Sequence, residues 1–473
     1  MGKKHFYWLG IFICFPCLFI AMNSWAEEGQ KSELDRQYRS AVAQYEAGRF
    51  AEATAELEKL LPHAPNSFEI HELLGLAQAA QSLDANAIEH LQAAVRLKPD
   101  SLAARTSLAA TLNHAGRTSE AGEQFRKALQ LGPQDFDANH NLAEFYIQAG
   151  RVTEAQPLLA HAQQLNPSSY DNGYDLAMAD FLTGRLGDAK GTVLSLLQMK
   201  NTGELHNLLG QIQEKDGKFI DAVNEFETAA HMDPSEGNLF DWGSELLLHR
   251  TYDPAIAVFQ TATERYPKSP RLMIGLGMAL DLRGKYDEAV KALLAAADLD
   301  PSDARCYVFL SKAYDSSPNQ ADEVIQRFKR YAELQPENAQ ALFYYAMSMW
   351  KGKRVGDANL DLKSVEMLLQ KSIALNGDLP DPHVQLGNFY ADQHDYAKAV
   401  PEYAHALGLN PNLSDAHYRL GTVYVHLGKK DDAAKEFDVY QKLRAQHLAE
   451  VDKERAEVQQ FVYAEKSSSA VRP

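Results

Sequence analysis

The stretch RLMIGLGMALDLRGKYDEAVKALLAAADLDP, residues 271–301, holds the pattern from which the fold is read. Leu276 and Leu280 stand four apart, about one helical turn, and Ala289, Leu293 and Ala296 follow at spacings of four and three, so each set marks one face of its own helix. Gly284 lies between the sets, where a helix end favours positive φ, and Pro301 follows the second set, where a helix stops. The segment therefore reads as a helical hairpin. Gly277 on its first helix and Ala289 on its second are small enough to let the two approach closely.

The same residue types return at the same offsets elsewhere. Leu142, Ala143, Tyr146, Gly150, Ala155, Leu159, Ala162 and Pro167 repeat the order, as do Leu386, Gly387, Tyr390, Ala399, Tyr403, Ala406 and Pro411. Prolines mark the period: Pro65, Pro99, Pro133 and Pro167 are 34 residues apart, and Pro234, Pro267, Pro301 and Pro336 follow one another at 33, 34 and 35. Asn201 stands where one proline is missing. A single hairpin cannot hide its own apolar face, so each must lean on the next.

On these residues the chain resembles the tetratricopeptide repeat family over roughly residues 34–440, with about twelve units. The resemblance implies an all-α fold, a right-handed α-solenoid of helix–turn–helix units whose first helices line a concave face where partners bind. A C-terminal capping helix is expected over 441–463, since Gln441 to Tyr463 contains neither Gly nor Pro, and a disordered tail over 464–473. The pattern departs by one extra residue around Ser317 to Glu323, where Val324 replaces the usual alanine, and more widely near 351–363, where Gly352, Gly356, Asp357 and Asn359 read as an exposed loop.

The first 26 residues are set apart. Lys3 and Lys4 precede an apolar run from Phe6 to Met22, and Ser24 and Ala26 supply the small residues of a secretory cleavage site, which predicts a signal peptide cut after Ala26 and a periplasmic or secreted protein. The alternative is an uncleaved anchor, with residues 6–22 in the inner membrane; a membrane is a partner only in that case. The formal net charge of -17 opposes binding to phosphate backbones, so nucleic acid is excluded as a partner. Of three cysteines two fall in the signal, and Cys306 is expected to be a small buried residue of a hairpin.

The residue patterns of common chemistries fail one by one. His71-Glu72 opens like a zinc-protease helix, but Gly75 stands where the second histidine is needed. Gly275-Leu276-Gly277 lies inside a helix, lacks the third glycine of a dinucleotide loop and follows no strand. The Gly-Lys pairs lack the glycine five residues earlier that a phosphate cradle requires. His140, His161, His206, His383 and His417 are spread over different units and read as solvated or packing residues. No catalytic residue, cofactor site or metal site is therefore expected.

What the resemblance offers instead is a partner-binding groove. The positions it places on the concave face carry Tyr174, Met178, Phe181, Phe240, Leu247, Ile274, Met278, Val308, Phe343, Met347 and Trp350, a lining suited to a protein or peptide segment. The competing reading is that these are ordinary core residues. The expected function is a non-catalytic protein–protein interaction scaffold, with self-assembly through the C-terminal helix, or service as an accessory subunit of an export or polysaccharide machinery, as alternatives.

Overall fold

A computed structural model describes residues 25–316, 318–352 and 362–446. The expected signal segment up to residue 24, most of the 351–363 interruption and everything after residue 446, including most of the expected capping helix and the expected tail, lie outside the described residues. Among the described residues the chain is all-α, with no strand, and it divides into two compact units, residues 1–201 and 202–473.

The first unit pairs α1 (Trp25–Glu46) with α2 (Phe50–Leu60), α3 (Phe68–Ala80) with α4 (Asp84–Leu97), α5 (Leu102–His114) with α6 (Thr118–Leu131), α7 (Phe136–Gln148) with α8 (Val152–Leu165), and α9 (Tyr170–Leu182) with α10 (Leu186–Met199). In the second unit, α11 (Gly203–Lys215) pairs with α12 (Phe219–Met232), α13 (Glu236–Leu248) with α14 (Tyr252–Arg265), α15 (Pro270–Leu282) with α16 (Tyr286–Leu299), and α17 (Ala304–Ser316) with α18 (Ala321–Leu334). Three more pairs follow: α19 (Ala339–Lys351) with α20 (Leu362–Leu375), α21 (Pro380–Asp392) with α22 (Tyr396–Leu409), and α23 (Ser414–His426) with α24, which runs over 430–446 up to the last described residue. Within each unit every second helix packs on the first helix of the next hairpin, which is the solenoid arrangement expected from the repeat.

Local chemistry fixes both ends of the hairpins. A polar side chain two residues after the proline caps the first helix in most units: Ser67 accepts from the Ile70 amide at 3.3 Å, Ser101 from Ala104 at 3.2 Å and Asp135 from Ala138 at 2.8 Å. At the other end Gly284 adopts φ +83°, and its amide and that of Lys285 return to the carbonyls of Asp281 and Leu280 at 2.9 and 2.8 Å. Where the glycine is absent, Ser82, Arg250 and His394 are forced into the same left-handed region, at φ 59°, 59° and 63°.

The hairpins close by size complementarity. A Cβ placed on Gly277 would stand 2.5 Å from Leu293 Cγ, and one on Gly387 would stand 2.9 Å from the Tyr403 ring. The small residue of the first helix thus receives the large residue of the second, one turn beyond the alanine that the sequence sets opposite it. Leu293 and Tyr403 are fully buried as a result, and so is Cys306, whose thiol burial pushes up to about 12.

Candidate functional site

Three consecutive first helices of the second unit, α13, α15 and α17, lie side by side. Their shared face carries a cavity of about 330 Å³, lined by Phe240, Ser244, Leu247 and Leu248 from α13, Arg271, Ile274, Gly275, Met278 and Leu282 from α15, and Arg305 and Phe309 from α17. The floor is the Phe259 ring of α14, fully buried, which reaches between the first helices because Gly243 and Gly275 leave no side chain in its way. A Cβ on Gly275 would come to 2.5 Å from that ring, and one on Gly243 to 2.7 Å.

The walls are apolar and open to solvent at one edge, where Leu248 and Leu282 keep 62% and 52% of their surface exposed. The opposite edge is polar. The Arg271 guanidinium lies 4.9 Å from the centre of the Phe240 ring and donates to Glu236 at 2.7 Å, while Ser269 donates to the same carboxylate oxygen at 2.7 Å. Those bonds, the serine's first, hold the Glu236 carboxyl below its ordinary range. One repeat further on, Arg305 holds Asp303 at 2.7 Å with most of its side chain in solvent.

Phe240, Leu247, Ile274 and Met278, four of the groove residues named from sequence, meet in this cavity. Val308 and Phe343 are half-buried against the core of the same unit, and Met347 is buried at 5% exposure. Trp350 packs edge-on against Phe389 with ring centres 5.6 Å apart. Tyr174, Met178 and Phe181 belong to α9 of the first unit, each half-buried. Sequence reasoning missed Phe309, which stands one residue past Val308, and the two arginines. Arg271 and Arg305 are 34 residues apart, so they occupy one repeat position, a signal available in the sequence.

The histidines have partners that single-helix patterns do not reveal. His206, His383 and His417 each set Nδ1 against a glutamate carboxylate of the second helix, Glu225, Glu402 and Glu436, at 2.5, 2.7 and 2.6 Å. The separation is 19 residues every time, and the Arg105 guanidinium donates to Gln124 at 3.0 Å over the same separation. These pairs tie the two helices of one hairpin together. His417 Nε2 also reaches the carbonyl of Pro411, and His71 Nε2 that of Pro65, each at 3.0 Å, which satisfies a turn carbonyl that the helix leaves over.

A buried carboxyl completes the polar side of the second unit. Glu245 on α13 is 3% exposed, bonds His249 at 3.1 Å, and is pushed up to about 7 by burial, with the nearby Glu214 adding to the rise.

Two family models described as tetratricopeptide repeat match the chain, one at residues 38–101, 85–136 and 240–304, the other at 112–162, 148–212 and 390–456. Among curated proteins the chain is similar to the TPR repeat-containing protein YpiA of Bacillus subtilis (strain 168), 25% identical over 236 residues that span 49% of this chain and 53% of that protein. It is also similar to the human protein O-mannosyl-transferase TMTC1, 22% identical over 211 residues, 45% of this chain and 23% of that protein. Among solved structures, the crystal structure of YrrB, described as a TPR protein with an unusual peptide-binding site, matches with a TM-score of 0.33 and 20% identity over 39% of this chain and 96% of that one. The APC/C hetero-tetramer Cut9–Hcn1 matches with a TM-score of 0.37 and 14% identity over 88% of this chain and 95% of that one. Taken together the two repeat models span well over half of the sequence, and the paired helices agree with them over the described residues: the chain belongs to the tetratricopeptide repeat family.

Proposed function

We propose that this protein is a non-catalytic interaction scaffold that holds a peptide segment of a partner protein on the face formed by α13, α15 and α17. The observation that supports this reading is the apolar cavity of about 330 Å³ with two exposed leucines on one edge and two arginines on the other. Its chemistry selects a segment with bulky apolar side chains next to a carboxylate, which Arg305 meets at the solvent edge. Both arginines are paired with carboxylates of the chain, Arg271 with Glu236 and Arg305 with Asp303, so a ligand carboxylate competes with Asp303 for the exposed Arg305 guanidinium. With the export proposed from Lys3, Lys4 and the apolar run, the partner would be met in the periplasm or outside the cell. N-terminal sequencing of the protein purified from its host tests the cleavage: a start at Glu27 supports it, and a start at Met1 or Gly2 refutes cleavage after Ala26.

The groove is tested by selecting peptides from a display library against the full-length protein and measuring their affinity for Leu247→Ala/Met278→Ala and Arg305→Glu. Truncating two lining side chains is expected to weaken binding by at least about tenfold, since a central anchor contact is worth on the order of 2 kcal/mol. Arg305→Glu is expected to weaken acidic peptides more than neutral ones. Selected peptides that bind both variants as tightly as the parent refute the assignment.

A further inference from the structure

We propose that His140, Glu144 and Asp175, in the first unit, form a binding site for a divalent transition-metal ion such as zinc. His140 and Glu144 stand one turn apart on α7, and Asp175 projects from α9, the first helix of the next hairpin. One ligand atom from each lies within 4.8 Å of the other two, and His140 Nε2 is 3.7 Å from the Glu144 carboxylate. An ion with bonds of about 2.1 Å needs its ligand atoms roughly 3.0–3.6 Å apart, so the histidine and glutamate are nearly in place and the aspartate closes by a side-chain rotation. One imidazole and two carboxylates make a donor set suited to borderline cations.

An observation outside the three side chains sets which histidine nitrogen is open. Asn172 is fully buried, and its amide nitrogen donates to the Leu159 carbonyl at 3.0 Å and to Gln163 at 2.8 Å. Those two acceptors fix the amide, so its oxygen is what faces His140 Nδ1 at 3.1 Å. Nδ1 therefore carries the proton and donates it to Asn172. In the neutral ring the lone pair is then on Nε2, the nitrogen on the side of Glu144 and Asp175. A cation bound there would be met by that lone pair and by the two carboxylates together. An imidazole held by a hydrogen bond at its other nitrogen is the outer-shell arrangement that metal-binding histidines use. Phe136 stacks on the ring at 5.5 Å and keeps its plane. The negative neighbours Asp137 and Asp171 act on the site electrostatically and add to its attraction for a cation.

The sequence reading passed over this site because it sought pairs of histidines or cysteines on one helix, whereas two of these ligands are carboxylates and one comes from the next repeat. The test uses the full-length protein freed of metal by a chelator and titrated with Co²⁺, with the visible absorption of the bound ion as the readout, and then with Zn²⁺ in competition. One equivalent is expected to bind at micromolar or lower concentration and to be displaced by zinc. His140→Gln is expected to remove the signal, and Glu144→Gln, a nearly isosteric change at a partly exposed position, to weaken binding at least about tenfold while the far-ultraviolet dichroism is unchanged. Absence of saturable binding below about 100 µM overturns the proposal. So does binding that Glu144→Gln and His140→Gln leave intact but His90→Ala removes, because that assigns the ion to the His71–His90 pair, whose Nδ1 atoms are 3.0 Å apart.

Discussion

Gly275→Ala is the substitution that most sharply tests how the groove is built. Alanine is the better helix former by about 1 kcal/mol, so at an unconstrained helical position the change stabilises. At position 275 the new methyl would lie 2.5 Å from Phe259 Cε1 and 2.7 Å from Cζ. Carbon atoms in contact sit at about 3.5–4.0 Å, so the overlap is roughly 1 Å. Phe259 is fully buried, and Gly243 on the preceding first helix holds the same ring as closely, which leaves it little room to swing aside. Overpacking of this kind costs about 1–3 kcal/mol, and the size of the overlap places it near the upper end. Less the gain in helix propensity, the net loss is about 2 kcal/mol.

The control is Gly191→Ala on α10, where a Cβ meets nothing within 4 Å, and there the propensity term alone remains. Urea unfolding followed by far-ultraviolet dichroism should therefore shift in opposite directions for the two variants. Because stability in a repeat array is shared between neighbours, hydrogen exchange of the α13 to α15 amides locates the loss. Adding Phe259→Leu to Gly275→Ala should recover at least about 1 kcal/mol relative to the sum of the single changes. If Gly275→Ala is as stable as the parent, or if the pair is additive, the ring is not wedged by these glycines and the account of the groove floor is wrong.

Two further outcomes follow from burial. Glu72 and Glu245 are each pushed up to about 7 in the folded chain by burial, so between roughly pH 4.5 and 7 the folded state binds more protons than the unfolded one. Their contribution to stability is complete below the unfolded value and is lost as pH rises through 7; the urea midpoint of Glu245→Gln should therefore fall less than the parent's between pH 5 and 8, and an equal fall in both refutes the assignment. Cys306 is fully buried with its thiol pushed up to about 12, so an aromatic disulfide reagent at pH 8 should label it only as fast as α17 opens, and immediate stoichiometric labelling of native protein would contradict that burial.

The hairpins were legible because each depends on short-range signals. The glycines Gly48, Gly116, Gly150, Gly184, Gly217, Gly284 and Gly428, read from sequence as ends of first helices, all take positive φ, between 72° and 83°. Leu276, Leu280 and Leu293 lie on the faces that their spacing assigns. What the period could not give is the pairing between helices. The His206–Glu225 and His417–Glu436 pairs join residues 19 apart, a separation that becomes visible only when two helices are folded against each other. The groove was half legible for a related reason. Phe240, Ile274 and Val308 share one repeat position, and the first two line the cavity, but at the third hairpin Phe309 takes that part, and the sequence carries no mark of this exchange.

That exchange indicates where function resides in a repeat protein. Residues 241, 275 and 309 are 34 apart and equivalent in the array, yet they are Asp241, Gly275 and Phe309. An aspartate there is half-buried, a glycine opens the floor down to Phe259, and a phenylalanine raises the far wall. Had the position been one residue type throughout, the face would be a uniform ridge with no cavity of its own. His140 makes the same point on the first unit, since its equivalents one repeat before and after are Thr106 and Tyr174, neither suited to join two carboxylates around a cation. Periodicity secures the scaffold by making every hairpin fit its neighbours. Specificity then depends on positions where the period is kept in the backbone and broken in the side chain, so Phe309→Asp, which puts there the residue of the equivalent position 241, should leave helicity intact while removing the far wall of the cavity.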